Sequence, residues 1–220
     1  MIFEKSGLPG TTVIWREICC EGPLFSEIDS DIFWKMSYTF FENEYGIVKL
    51  DYFDKTIKEL LKLSEIPVNS EVVLWFEYDL FCQFNLLGAC NLLLQYFRKD
   101  LNYYLICVGY NKGSSKMETL SNYSPSALAT LYSTKNKLTK HDLAYAKSCW
   151  EVLARSNEEE IRQFDFGKSK KFSYLKSAIN QHFERFPDAN GLNKIDYKIL
   201  EIVHAKPRTF KEIVRELLLW

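Results

Sequence analysis

The sequence predicts an α/β fold: a small parallel sheet with flanking helices, followed by an α-helical C-terminal domain. Three observations carry that prediction. The run EVVLWF at 71–76 is continuously apolar, the pattern of a strand buried on both faces of a parallel sheet. A second strand-like run, LNYYLICV at 101–108, follows a long apolar helical stretch. Strand, helix and strand thus occupy about 38 residues, a βαβ unit whose crossover is right-handed. Beyond 112 the strand signals fade and the charge changes sign: residues 1–112 carry 10 basic and 16 acidic side chains, residues 113–220 carry 18 and 13. That asymmetry divides the chain into an α/β domain over 1–112 and a helical domain over 113–220.

The elements follow in order. TVIWR at 12–16, β-branched and aromatic after the turn signal Gly7-Leu8-Pro9-Gly10, predicts a buried strand, and a loop holding Cys19 and Cys20 comes next. Over 26–45, Ile28, Ile32, Phe33, Met36, Phe40 and Phe41 recur at helical spacing, with Asp29 and Asp31 where the helix dipole favours negative charge. Gly46 punctuates this helix, and Val48, Phe53, Ile57, Leu60, Leu61 and Leu63 predict a second, amphipathic one to about 64, closed by Pro67. The strand at 71–76 leads into a helix over 80–99. A linker is expected at about 111–123, where Lys, Ser, Thr and Asn replace apolar residues. Ser124-Pro125 then reads as an N-cap with proline at the first helical position, and Thr139 caps a helix through Leu153. Helices over 173–186, 193–205 and 209–218 complete the chain. The last starts on the capping-box pair Thr209 and Glu212.

Composition excludes several function classes. With 47% hydrophobic and 26% charged residues, the chain is neither disordered nor fibrous. A net charge of −1 projects no global field toward nucleic acid or an anionic membrane. The most apolar stretch, 86–94, falls far short of the roughly 20 residues a spanning helix needs. The opening MIFEKSGLPG lacks an apolar signal core, so a protein that stays in the cytoplasm is expected. The six cysteines lack the paired spacing of a structural zinc site, and Cys82, Cys90 and Cys107 read as small buried hydrophobes of a reduced chain. His141, His182 and His204 have no nucleophile at a recognisable spacing, and neither G-x-G-x-x-G nor the P-loop pattern occurs.

In open parallel sheets ligands bind outside the carboxyl ends of the strands. Here one predicted strand ends in Arg16, Glu17 and Glu21, and the other in Glu77 and Asp79, with Gln83 one turn into the next helix. If these strands are neighbours, an arginine and four carboxylates share one rim. Such a rim can bind a small polar or phosphate-bearing ligand, with Arg16 on the anion and the carboxylates on Mg²⁺ or on hydroxyl groups. The same residues have a purely structural use, in which Glu77 and Asp79 cap the helix beginning near Leu80 and Arg16 pairs with one of them. Both uses stay open at this point.

The segments VIWREICCEGPL (13–24), EVVLWFEYDLFCQFNLL (71–87) and FPDANGLNKIDYKILEI (186–202) resemble a bacterial family known as domain of unknown function 1835, with its helical C-terminal region. Over most of the chain the resemblance implies that α/β fold, and it singles out Arg16, Glu17, Glu21, Gly22, Pro23, Glu77, Asp79 and Gln83. It implies no activity. Family members begin with another short strand and continue further, so a shortened relative is expected. A rival function rests on the C-terminal helices: Ile195, Ile199, Ile202 and Val203, the turn at Lys206-Pro207-Arg208, and Phe210, Ile213, Val214 and Leu217 have the form of a helix-turn-helix. That form, on the more basic half, allows a non-enzymatic nucleic-acid-binding or partner-binding module. A plain helical hairpin fits the same residues.

Overall fold

A computed structural model describes residues 6–110 and 116–220, so the first five residues of the chain's opening and positions 111–115 of the expected linker lie outside the described residues. Helix α1, Asp31–Tyr45, begins where the Ser30 hydroxyl accepts the Phe33 N–H and ends at Gly46, whose φ of 65° lets its N–H turn back to the Glu42 carbonyl. The second predicted helix is a composite: α2 (Lys49–Tyr52), a π-helical turn (Phe53–Ile57), α3 (Lys58–Leu61) and a 3₁₀ turn (Lys62–Glu65). Strand β1, Glu71–Glu77, leads through Asp79 into α4, Leu80–Gln95, and β2, Asn102–Val108, returns parallel to β1 with Glu71 opposite Asn102 and Glu77 opposite Val108. The βαβ unit read from the sequence is therefore present.

Helix α5 (Pro125–Ser133) starts on Ser124 with proline in its first turn. Strand β3 (Asn136–Leu138) follows, then α6 (Lys140–Ala154) on the Thr139 capping box, and α7 (Glu158–Gln163). The sheet order is β1-β2-β3, with β3 antiparallel to β2, so the sheet is mixed rather than wholly parallel. β3 escapes a reading of the sequence because Asn-Lys-Leu carries no strand pattern; tertiary pairing makes it a strand, with Leu138 opposite Tyr103 and buried.

The predicted strand at 12–16 is the main correction: these residues take no part in the sheet. Their bonds go to helices. The Ile14 N–H donates to the Glu59 carboxylate at 3.3 Å, and the Arg16 guanidinium donates to the Lys55 carbonyl. Trp15 lies along α4 at Gly88, where a methyl group would stand 3.0 Å from its ring and 3.3 Å from that of Trp150. Missing bulk at Gly88 thus admits two indoles to one point on the helix. Residues 83–93 of α4 are all buried, as expected of a helix apolar all round, and α4 packs on α6 and β1.

The compact units are Met1–Lys176 and Ser177–Trp220, a division some sixty residues beyond the 112/113 boundary read from the charge shift. The reason is contact: β3 extends the sheet and α6 covers α4, so the helices of 125–154 belong with the α/β core. The second unit holds α9 (Lys194–Ala205) and α10 (Phe210–Leu219), each opened by a capping box, at Asn193 and at Thr209. Helix α8, Leu175–Phe183, spans the division.

Candidate functional site

Parallel pairing brings the C-terminal ends of β1 and β2 side by side, and the start of α4 lies at the same edge. Asp79 is the N-cap of α4: its Oδ1 accepts the Cys82 N–H at 2.9 Å. The Glu77 carboxylate accepts the Leu120 N–H at 2.7 Å, holding the 3₁₀ turn Leu120–Asn122 over the edge. Of the structural use weighed for these acids, the cap is met by Asp79 alone; Glu77 bonds the Leu120 N–H instead, and Arg16 pairs with neither. One ligating atom each from Glu77, Asp79 and Cys82 lies within 4.8 Å of the other two, and all three residues are half-buried. Burial, with Asp79 and Glu77 close by, pushes the Cys82 thiol up to about 12, so in the free protein it keeps its proton at neutral pH.

Gln83 closes the inner side. Its Nε2 donates to the Glu77 carbonyl at 2.7 Å and lies 3.3 Å from Cys107 Sγ, which holds its amide at the tip of β1. Gln83 is wholly buried, and its Oε1 has no hydrogen-bond partner among the described residues. A buried acceptor left unpaired costs on the order of 1–3 kcal/mol. On the β2 side Gly109 meets Tyr174: a side chain there would stand 2.6 Å from the phenol carbon, and the phenol oxygen accepts the Tyr110 N–H at 2.6 Å. The Tyr78 and Tyr174 rings meet edge to face at 6.2 Å, giving the edge an aromatic wall.

Arg16, Glu17 and Glu21 do not join this edge through a neighbouring strand, because the segment that carries them is outside the sheet. Their bonds place them with α1, α2 and the π-helical turn that follows. Arg16 donates to the Lys55 carbonyl; Glu17 is buried and accepts the Tyr52 phenol at 2.7 Å; Glu21 accepts the Tyr45 phenol at 3.0 Å. Burial raises the Glu17 carboxyl above its ordinary range, against the hydrogen bonds from Tyr52 and Ser37 that lower it. The Tyr52 phenol is raised by the same burial and by Glu17. Cys19 and Cys20 sit buried in the turn between Glu17 and Glu21.

Reading the sequence missed Cys82, Tyr174 and the Leu120 N–H. Cys82 stands three residues after Asp79 on the same helix face, a spacing that marks it as a neighbour; nothing local marks the other two. The helix-turn-helix residues form α9, the turn and α10, but basic surplus does not concentrate there: residues 177–220 hold 7 basic and 6 acidic side chains, residues 116–176 hold 11 and 7. Lys194, Lys198 and Arg208 are ion-paired with Glu184, Glu201 and Glu216. Among the described residues no helix is long and apolar enough to cross a membrane, and no two of the six cysteines form a disulfide. Compared with known protein families, curated proteins and solved structures, the chain matches none.

Proposed function

We propose that the edge formed by Glu77, Asp79, Cys82 and Gln83 binds a small polar ligand. One observation carries the reading: a fully buried glutamine holds at the tip of β1 a carbonyl with no partner among the described residues, beside the carboxylates of Glu77 and Asp79. Groups with that need are satisfied by a donor or a cation. A phosphate-bearing ligand enters such a site through a bridging cation, since the guanidinium first assigned to the anion is bonded to the Lys55 carbonyl instead. Kinship with the bacterial domain of unknown function 1835 and a cytoplasmic setting belong to the same proposal, supported by the W-R-E and W-F-E-x-D-L-F-x-Q segments and by cysteines that form no disulfide among the described residues. The rival readings use α9 and α10. The ion pairs there argue against nucleic acid, whereas the exposed Tyr197, Leu200 and Phe210 favour a partner protein.

A thermal-shift screen of the full chain against nucleotides, sugar phosphates, polyols and divalent ions tests the proposal, with Glu77→Gln/Asp79→Asn alongside. A ligand at a hundred times its Kd stabilises the folded state by about 2.7 kcal/mol. The expected result is a rise in Tm in the parent that the double variant loses. No rise across the panel, or one that the double variant keeps, overturns it.

A further inference from the structure

Resting on the reading of this edge as a ligand site, we propose that Glu77, Asp79 and Cys82 form a divalent-cation site of the zinc class, with Gln83 Oε1 as the neutral oxygen beside it. The donor set selects the metal. Mg²⁺ takes oxygen ligands in near-ideal octahedra and does not accept sulfur, whereas Zn²⁺ takes thiolate, carboxylate and neutral donors in a tetrahedron. Around Zn²⁺, neighbouring ligand atoms stand about 3.5 Å apart, and the three atoms already lie within 4.8 Å of one another.

Position supports the same conclusion. Asp79 and Cys82 are locked to the first turn of α4 by the cap bond, Glu77 is fixed to the Leu120 N–H, and the backbone of the site is thereby set before any ion arrives. Carboxylates near one another are common without an ion. The independent sign is the amide of Gln83, tied to the carbonyl of Glu77 itself while its oxygen lies buried with no partner among the described residues. Binding balances as Cys82 S–H plus M²⁺ giving a sulfur–metal bond and one proton released to solvent, with no change in oxidation state.

Cobalt reports this directly, because Co²⁺ bound to thiolate gives a near-ultraviolet charge-transfer band and oxygen ligands do not. Titration of the full chain is expected to give one Co²⁺ per chain with that band, displaced by equimolar Zn²⁺ and unaffected by excess Mg²⁺. Cys82→Ser removes the band while circular dichroism shows a folded chain, and Asp79→Asn, which keeps an N-cap oxygen, weakens binding about tenfold or more. No band, or one that survives Cys82→Ser, overturns the inference. Should Cys82→Ser not fold, loss of the band in Glu77→Gln supports it and retention sinks it. Repeating the small-ligand thermal shift with and without EDTA separates the two proposals. A shift unaffected by EDTA keeps the ligand site and removes the cation, whereas no shift in either condition, beside a cobalt band, leaves the metal site and removes the small-ligand reading.

Discussion

Glu17 and Glu77 each stand at the end of a run that contains a tryptophan; Glu17 is buried and Glu77 half-buried. Their surroundings differ in kind. Glu17 is received by side-chain hydroxyls, Tyr52 at 2.7 Å and Ser37, which hold it between α1 and α2 while burial raises its carboxyl. Glu77 is received by a backbone N–H and stands beside Asp79, Cys82 and an unpaired amide oxygen. Donors that accompany an acid into the core turn it into a pin between elements. Acids that share an edge with other acceptors gather unmet acceptor capacity in one place.

Both regions lean on α4, and the largest expected effect comes from removing that support. Trp150 is fully buried against Gly88 and donates its indole N–H to the Phe25 carbonyl at 2.7 Å. Trp150→Ala is expected to cost about 3–5 kcal/mol, read by urea unfolding, and to weaken any Co²⁺ binding as well, since α4 positions Asp79 and Cys82. A loss under about 1 kcal/mol would show that α4 is not the common support.

Tyr52→Phe sharpens the contrast. It leaves buried Glu17 one donor short and is expected to cost about 1–3 kcal/mol with no change in Co²⁺ or small-ligand binding. A change in binding would join the two regions functionally. Glu17 also gives a signed pH dependence. Its folded carboxyl titrates above the unfolded one, so the folded state holds the extra proton, and the stability it contributes is full below the unfolded value. It is lost as pH rises from about 4.3 through the raised folded value. Glu17→Gln does not titrate and is expected to flatten that decline; Tm curves against pH that stay parallel to the parent's would sink the assignment.

Local signals in the sequence were enough for the βαβ unit, the Ser124-Pro125 start, the cap at Thr139 and the capping box at Thr209, because a cap or an apolar period is written within a few residues. Pairing is not written locally. TVIWR has the β-branched and aromatic content of a strand, yet those side chains serve equally to lie on a helix, and Gly88 decides the matter 73 residues later. Half of the candidate site was legible, Glu77, Asp79 and Gln83 by position at a strand end. The other half, Arg16, Glu17 and Glu21, was attached to it by assuming that two strand-like runs are neighbours. Cys82 looked like one more small apolar residue, because its nearness to two carboxylates depends on where β1 stops and α4 starts.

The smallest effect separates capping from ligation at one residue. Asp79 does both jobs on this reading: Oδ1 accepts the Cys82 N–H, and the carboxylate lies within 4.8 Å of its neighbours in the proposed cation site. Asp79→Ala removes both and is expected to cost about 1 kcal/mol of stability, the usual loss for an N-cap, together with cation binding. Asp79→Asn keeps a carbonyl oxygen for the cap and gives up the charge, so stability is expected to stay within about 0.5 kcal/mol of the parent while cation affinity falls. The two variants measured side by side, by urea unfolding and by Co²⁺ titration, give a cap-only residue and a ligand different signatures. If Asp79→Asn binds Co²⁺ as tightly as the parent, Asp79 is a cap alone. The contrast between the two acidic regions then narrows to Glu77, whose bond to Leu120 would make it a pin of the same kind as Glu17.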